Sequence, residues 1–204
     1  MHFEYFIINL KSQRCIFANF YSIEMNLKKL AFEYFTYQLY YWYKENTVNI
    51  EDNDLSTLKV LKLLFFCTAI ESDTNHQDTL IDSPFDNFYA MPYGHVESDI
   101  YNSIRQKDLL FFEIDNNGTQ IKQGINFDFA TLPESIKTKI DSSFSKLIAL
   151  NKELFNMSAL ELVELSHIWY SWKFYYGKAK QKGYFSEKIP NDIIKSEEKI
   201  LFIN

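Results

Sequence analysis

Four histidines, at positions 2, 76, 95 and 167, are the side chains best suited to proton transfer near neutral pH, and Cys15 and Cys67 are the two thiols. The histidines show no H-x-x-x-H or similar pairing and the cysteines no C-x-x-C spacing, so neither a metal site, a cofactor nor a disulfide framework is expected. His95 precedes Glu97 and Asp99, a grouping that could place a base beside acids, and Ser166 adjoins His167. Neighbouring positions on a helix do not face each other, which removes Ser166 and His167 as a nucleophile and base pair. A Gly-rich phosphate loop, a nucleophile elbow and a paired-carboxylate motif are all missing from the sequence, so the chain is not expected to be an enzyme. A small hydrolase using His95 or His167 is the remaining catalytic alternative, and it requires a polar cleft.

Recognition is the other chemistry that these residues permit. The run Tyr93, Gly94, His95, Val96 could present a binding turn, because Gly lets a partner's backbone approach and loops on a rigid scaffold concentrate binding residues. Its plainer reading is a corner in which Gly94 supplies an unusual φ and Tyr93 fills the core. His167 lies among Leu162, Leu165 and Trp169, where a histidine is more often a hydrogen-bonded structural residue than a ligand or base. The aromatic stretch from Tyr34 to Tyr43 lacks the basic companions of a membrane or base-stacking surface, so it reads as a core helix.

These residues need a scaffold, and the periodicity predicts one that is mainly α, an α+β domain with a small β-hairpin. Residues 1–24 read as an extension or edge hairpin of two β-prone runs, Phe3–Leu10 and Cys15–Ile23, followed from 25 to 204 by a single helical domain. Over Leu27–Lys44, Lys29, Glu33, Thr36 and Lys44 form a narrow polar stripe on an otherwise apolar helix. Asp52 to Asp54 precede a second helix from Leu55 to about Ile70, with Lys59 and Lys62 marking its wetter face.

Glu71–Asp78 reads as a loop, and the segment around Pro84, Pro92 and Gly94 as irregular. A helix follows, carrying Val96, Ile100, Tyr101 and Ile104 at three- and four-residue steps, with Glu97 and Asp99 at its start. Asn116, Asn117 and Gly118 join two strands, Leu109–Ile114 and Thr119–Phe127. Pro133 opens an amphipathic helix through Leu150, Ser158 and Glu161 form a capping box before another that carries Trp169, and Pro190 starts a last short one to Phe202.

Composition narrows the partners. The chain has 204 residues, 47% of them hydrophobic, with 5 Gly and 4 Pro, which suits one folded body with little linker. A net charge of −6 disfavours direct nucleic-acid binding and favours approach of a basic protein. The longest apolar run, Leu63–Cys67, is too short to span a membrane, and Glu4 and Asn9 interrupt the start where a secretory signal would lie, so a cytoplasmic protein without a membrane partner is expected.

Three blocks in order resemble the Panacea domain of SocA-like antitoxins. The first is Leu58 to Phe66, with its Lys-Leu-x-Lys-Leu-Leu-aromatic character. The second is Phe88 to Val96 with Tyr101 downstream, and the third is Leu162 to His167 followed by Trp169 and Trp172. His95 departs from the family pattern, which has Pro after this Gly. The resemblance implies an antitoxin that binds and neutralises a cognate protein toxin by direct contact. It also permits an adaptor that delivers the toxin to a cellular protease. The expected contact residues are Tyr93, Gly94, His95, Val96, Tyr101, His167 and Trp172.

Overall fold

The computed structural model describes residues 2–46, 50, 53–76 and 78–202, with side chains from residue 22 onward. Helix α1, His2–Asn46, contains no Gly or Pro to stop it, and it runs through both Phe3–Leu10 and Cys15–Ile23, which the sequence had suggested as strands. Its inner face carries Phe32, Phe35 and Leu39, all 0–1% exposed. The supposed polar stripe is partly interior as well. Glu33 is fully buried, and its carboxylate accepts the Phe111 and Phe112 N–H groups at 2.5 and 3.3 Å.

Helix α2, Thr57–Ala69, starts at Ser56, whose hydroxyl accepts the Lys59 N–H at 3.4 Å. Of the acids expected at this start, Asp54 binds the Lys59 ammonium at 2.7 Å, and Asp52 lies outside the described residues. Burial is unbroken from Lys59 to Ala69, so the expected wetter face at Lys59 and Lys62 does not exist. Both lysines are fully buried because apolar residues surround α2 on every side. Each fully buried Phe on this helix, such as Phe65 and Phe66, contributes about 2 kcal/mol by leaving water.

The segment around Pro92, expected to be irregular, is a hairpin: β1, Phe88–Met91, pairs antiparallel with β2, Gly94–Glu97, in the register Met91↔Gly94 and Phe88↔Glu97. Only Pro92 and Tyr93 lie in its turn. Val96 therefore belongs to a strand, and helix α3, Ser98–Arg105, begins after Glu97, whose side chain caps it at the Ile100 N–H. A second hairpin joins β3, Phe112–Ile114, to β4, Thr119–Ile121, across the expected Asn116–Gly118 turn. Asp115 accepts the Asn117 and Gly118 N–H groups there.

Helix α4, Glu134–Asn151, begins after Pro133, and α5, Ala159–Ile168, carries the full Ser158 and Glu161 capping box. The chain then leaves helical geometry at Trp169 (ψ 137°) and re-enters it as α6, Tyr170–Gln181, a break absent from the periodicity. Strand β5, Glu187–Lys188, adds to β1, giving a three-stranded sheet in the order β2-β1-β5, and α7 spans Asn191–Ser196. The result is a compact, mainly helical α+β fold whose core forms one cluster from Ala31 to Leu201. No helix among the described residues is long and apolar enough to cross a membrane.

Candidate partner-binding site

The β1–β2 turn is clamped from three helices. Gly94 has φ +93°, a conformation costly for any residue with a side chain, and a Cβ there would lie 2.5 Å from the Ser166 hydroxyl of α5. Glycine thus lets the strand press against α5. The next residue, His95, is fully buried, and its ring stacks on Phe65 of α2 with centroids 3.8 Å apart and planes 6° off parallel. Trp169 closes the pocket edge-on at 5.9 Å.

Every polar atom of His95 has a partner. Nδ1 lies 2.8 Å from the Ser166 hydroxyl, Nε2 lies 2.7 Å from the Ser171 hydroxyl of α6, and the His95 N–H donates to Ser166 at 3.1 Å. Its carbonyl accepts the Lys62 ammonium group. A neutral imidazole needs one donor and one acceptor, and a hydroxyl can be either, so either tautomer satisfies both ring nitrogens. Burial first, and then the nearby Lys62 and His167, hold its pKa well below the ordinary value and keep it neutral. Burial likewise brings Lys62 down to about 7.

This contact of a histidine with two hydroxyls has the elements of acid–base chemistry, but Ser166, His95 and Ser171 are each 0% exposed. A substrate atom has no access to them in this conformation, and the expected neighbours Glu97 and Asp99 are engaged elsewhere. Both bind Lys28 of α1, at 2.9 and 2.7 Å, and Asp86 joins them at 2.7 Å. These three carboxylates come within 4.8 Å of one another, close enough to hold a metal ion, but the Lys28 ammonium sits among them. Burial opposes that charge, yet Glu97 and the hydrogen bonds to Asp86 and Asp99 raise the Lys28 pKa above its ordinary value.

His167 and Trp172 hold the turn from the outside. Trp172 donates its indole N–H to the Met91 carbonyl at 2.8 Å, and the His167 ring lies beside the Pro92 carbonyl. The two rings stack at 3.7 Å, and Tyr176 continues the stack at 5.0 Å. Burial lowers the His167 pKa against the opposing effects of Glu164 and the Pro92 carbonyl, and its Nε2 is buried with no hydrogen-bond partner among the described residues.

Of the expected contact residues, the fold brings Tyr93, Gly94, His95, Val96, His167 and Trp172 together. Gly94, His95 and Val96 are buried, which corrects their assignment as contact residues: they support the turn and cannot touch a partner in this conformation. Tyr93 does not fill the core but is 61% exposed. Tyr101 belongs to α3, a different element, where Arg105 lies 5.6 Å above its ring. The sequence reading missed Lys62, Phe65, Ser171 and Tyr176. The unbroken apolar surroundings of Lys62 in α2 were the one usable signal for them. Comparison of the chain with family models, with curated proteins and with solved structures finds no match.

Proposed function

We propose that the chain binds and restrains a protein toxin through the surface around Tyr93, in the manner of a Panacea-type antitoxin acting in the cytoplasm. The observation that carries this reading is an exposed tyrosine on a turn whose backbone is hydrogen-bonded at Met91 and His95 by Trp172, Ser166 and Lys62. An aromatic anchor on a rigid support loses little freedom on binding, and such anchors carry most of the affinity of protein interfaces. The half-buried stack of His167, Trp172 and Tyr176 borders it with further aromatic surface.

The test is co-expression with the product of an adjacent reading frame. That product should arrest growth alone and become harmless with this chain. Tyr93→Ala should abolish the rescue while changing stability by no more than about 0.5 kcal/mol, as for other exposed positions. If neither neighbour arrests growth, the toxin reading fails; full rescue by Tyr93→Ala removes the site. A partner that disappears faster in the presence of this chain, and does not accumulate in a complex, would identify delivery to a protease.

A further inference from the structure

Helix α6 carries a second surface. Tyr170, Lys173, Phe174 and Gly177 fall at i, i+3, i+4 and i+7, with Lys180 one turn beyond Tyr176, so they share one side of the helix. Ser171 and Ala179 face the core, whereas Tyr170 is 57% and Phe174 50% exposed, their rings stacked at 5.6 Å. Apolar area of this kind, left in water beside lysines, has the composition of an interface.

Gly177 is the second observation. Glycine in a helix interior is disfavoured relative to every residue except proline, at a cost of about 1 kcal/mol against alanine. Here a Cβ at position 177 would meet nothing within 4 Å. No close approach among the described residues explains it, and it leaves a notch beside Phe174.

Charge supplies the third. From Tyr170 through Lys182 the chain has four lysines and no acid, against a net charge of −6 overall. Lys178 and Lys182 are bound to Glu187 at 3.3 and 2.7 Å. Lys173 and Lys180 form no ion pair among the described residues, and Lys180 lies 5.8 Å above the Tyr176 ring.

We propose that the outward face of α6, formed by Tyr170, Lys173, Phe174, Gly177 and Lys180, docks an acidic segment of a protein partner, whose backbone comes closest to the helix at Gly177. The inference rests on reading the chain as a partner-binding protein, and it reverses the basic character that the net charge had suggested for the partner, because local charge governs a contact within a Debye length. A polyphosphate is a poorer fit: two lysines neutralise little of its charge, and it has no apolar group to set against Tyr170 and Phe174. A second copy meeting face to face would set these lysines against their own equivalents.

The experiment uses the full chain and fluorescence anisotropy with three labelled probes: a peptide rich in Glu and Leu, its Lys-for-Glu counterpart, and an oligothymidylate. The Glu peptide should bind saturably and the other two should not. Lys173→Glu with Lys180→Glu, and separately Gly177→Leu, should each weaken it by about tenfold. Leu is the better helix former, so a folded, thermally stable Gly177→Leu protein that has lost binding excludes misfolding as the cause. Equal binding of both peptides, binding unaffected by these variants, preference for the oligothymidylate, or self-association through this face would each overturn the proposal. A harmless neighbouring gene product, with peptide binding still dependent on Gly177, would defeat the antitoxin reading alone. Neutralisation that needs Tyr93, without peptide binding, would defeat this inference alone.

Discussion

Lys28 on α1 and Lys62 on α2 both extend into the interior, at 7% and 0% exposure, yet their surroundings treat the charge in opposite ways. Lys28 meets three carboxylates within 2.9 Å and keeps its proton firmly. Among the described residues Lys62 meets no carboxylate; its hydrogen-bond partner is the His95 carbonyl, and burial favours the neutral amine. Burial alone therefore does not decide how a lysine behaves; the partners that the fold supplies do. The first lysine ties α1 to the loop before β1 and to the start of α3. The second fills space beneath the Tyr93 turn and forms no ion pair among the described residues.

Replacing each lysine with methionine tests the contrast, and the two effects should have opposite sign. Lys28→Met leaves Asp86, Glu97 and Asp99 facing one another without a cation, and urea unfolding should show a loss of about 3–5 kcal/mol at pH 7. Acidification toward the carboxylate range should recover part of that loss, since protonation relieves the repulsion. An unchanged stability would mean that water or salt screens the cluster fully.

Lys62→Met should instead stabilise the protein by about 2 kcal/mol at pH 6, the relief of burying a charge exceeding the lost bond to His95. The sign follows from linkage. Because the folded pKa of about 7 lies below the unfolded value of 10.5, the unfolded chain binds the extra proton between those two pH values. Stability of the unmodified chain should therefore rise through that window, with a slope from this group of up to about 1.4 kcal/mol per pH unit. Lys28 works the other way, its contribution fading only as pH rises past the ordinary lysine range. The Lys62→Met protein should lack the rise. A parallel pair of stability curves for the two proteins would show that Lys62 stays charged when buried.

Ser171→Ala gives the smallest effect. One ring nitrogen of His95 loses its partner, and stability should fall by about 1–2 kcal/mol, with little dependence on pH because the imidazole is neutral throughout the measured range. A steep pH dependence in the difference between this variant and the unmodified chain would show that the hydroxyl was suppressing a protonated histidine.

Much of the scaffold was legible locally. Pro133 marked the start of α4, the Ser158 and Glu161 box marked α5, and Asn116 to Gly118 marked the small hairpin, because caps and turns depend on residues a few positions apart. The β1–β2 hairpin was not legible, since Pro92 and Gly94 read as breakers until pairing with β5 and packing on α2 and α5 gave those short strands a place. The break at Trp169 escaped for a related reason. Its indole lies against Phe65 and Phe66 and donates to the Ile200 carbonyl at 3.0 Å, partners far away in the chain.

The sequence by itself determined a mainly helical α+β chain with aromatic residues in excess, helix starts set by caps, and the glycine at position 94 beside a histidine. Only the tertiary structure decided that His95 is a neutral, fully bonded support, that Tyr93 alone of its run faces solvent, and that Lys62 is dry. Caps and turns are settled by short-range sterics and hydrogen bonds, whereas exposure and charge state depend on which distant groups surround a side chain once the chain has closed on itself.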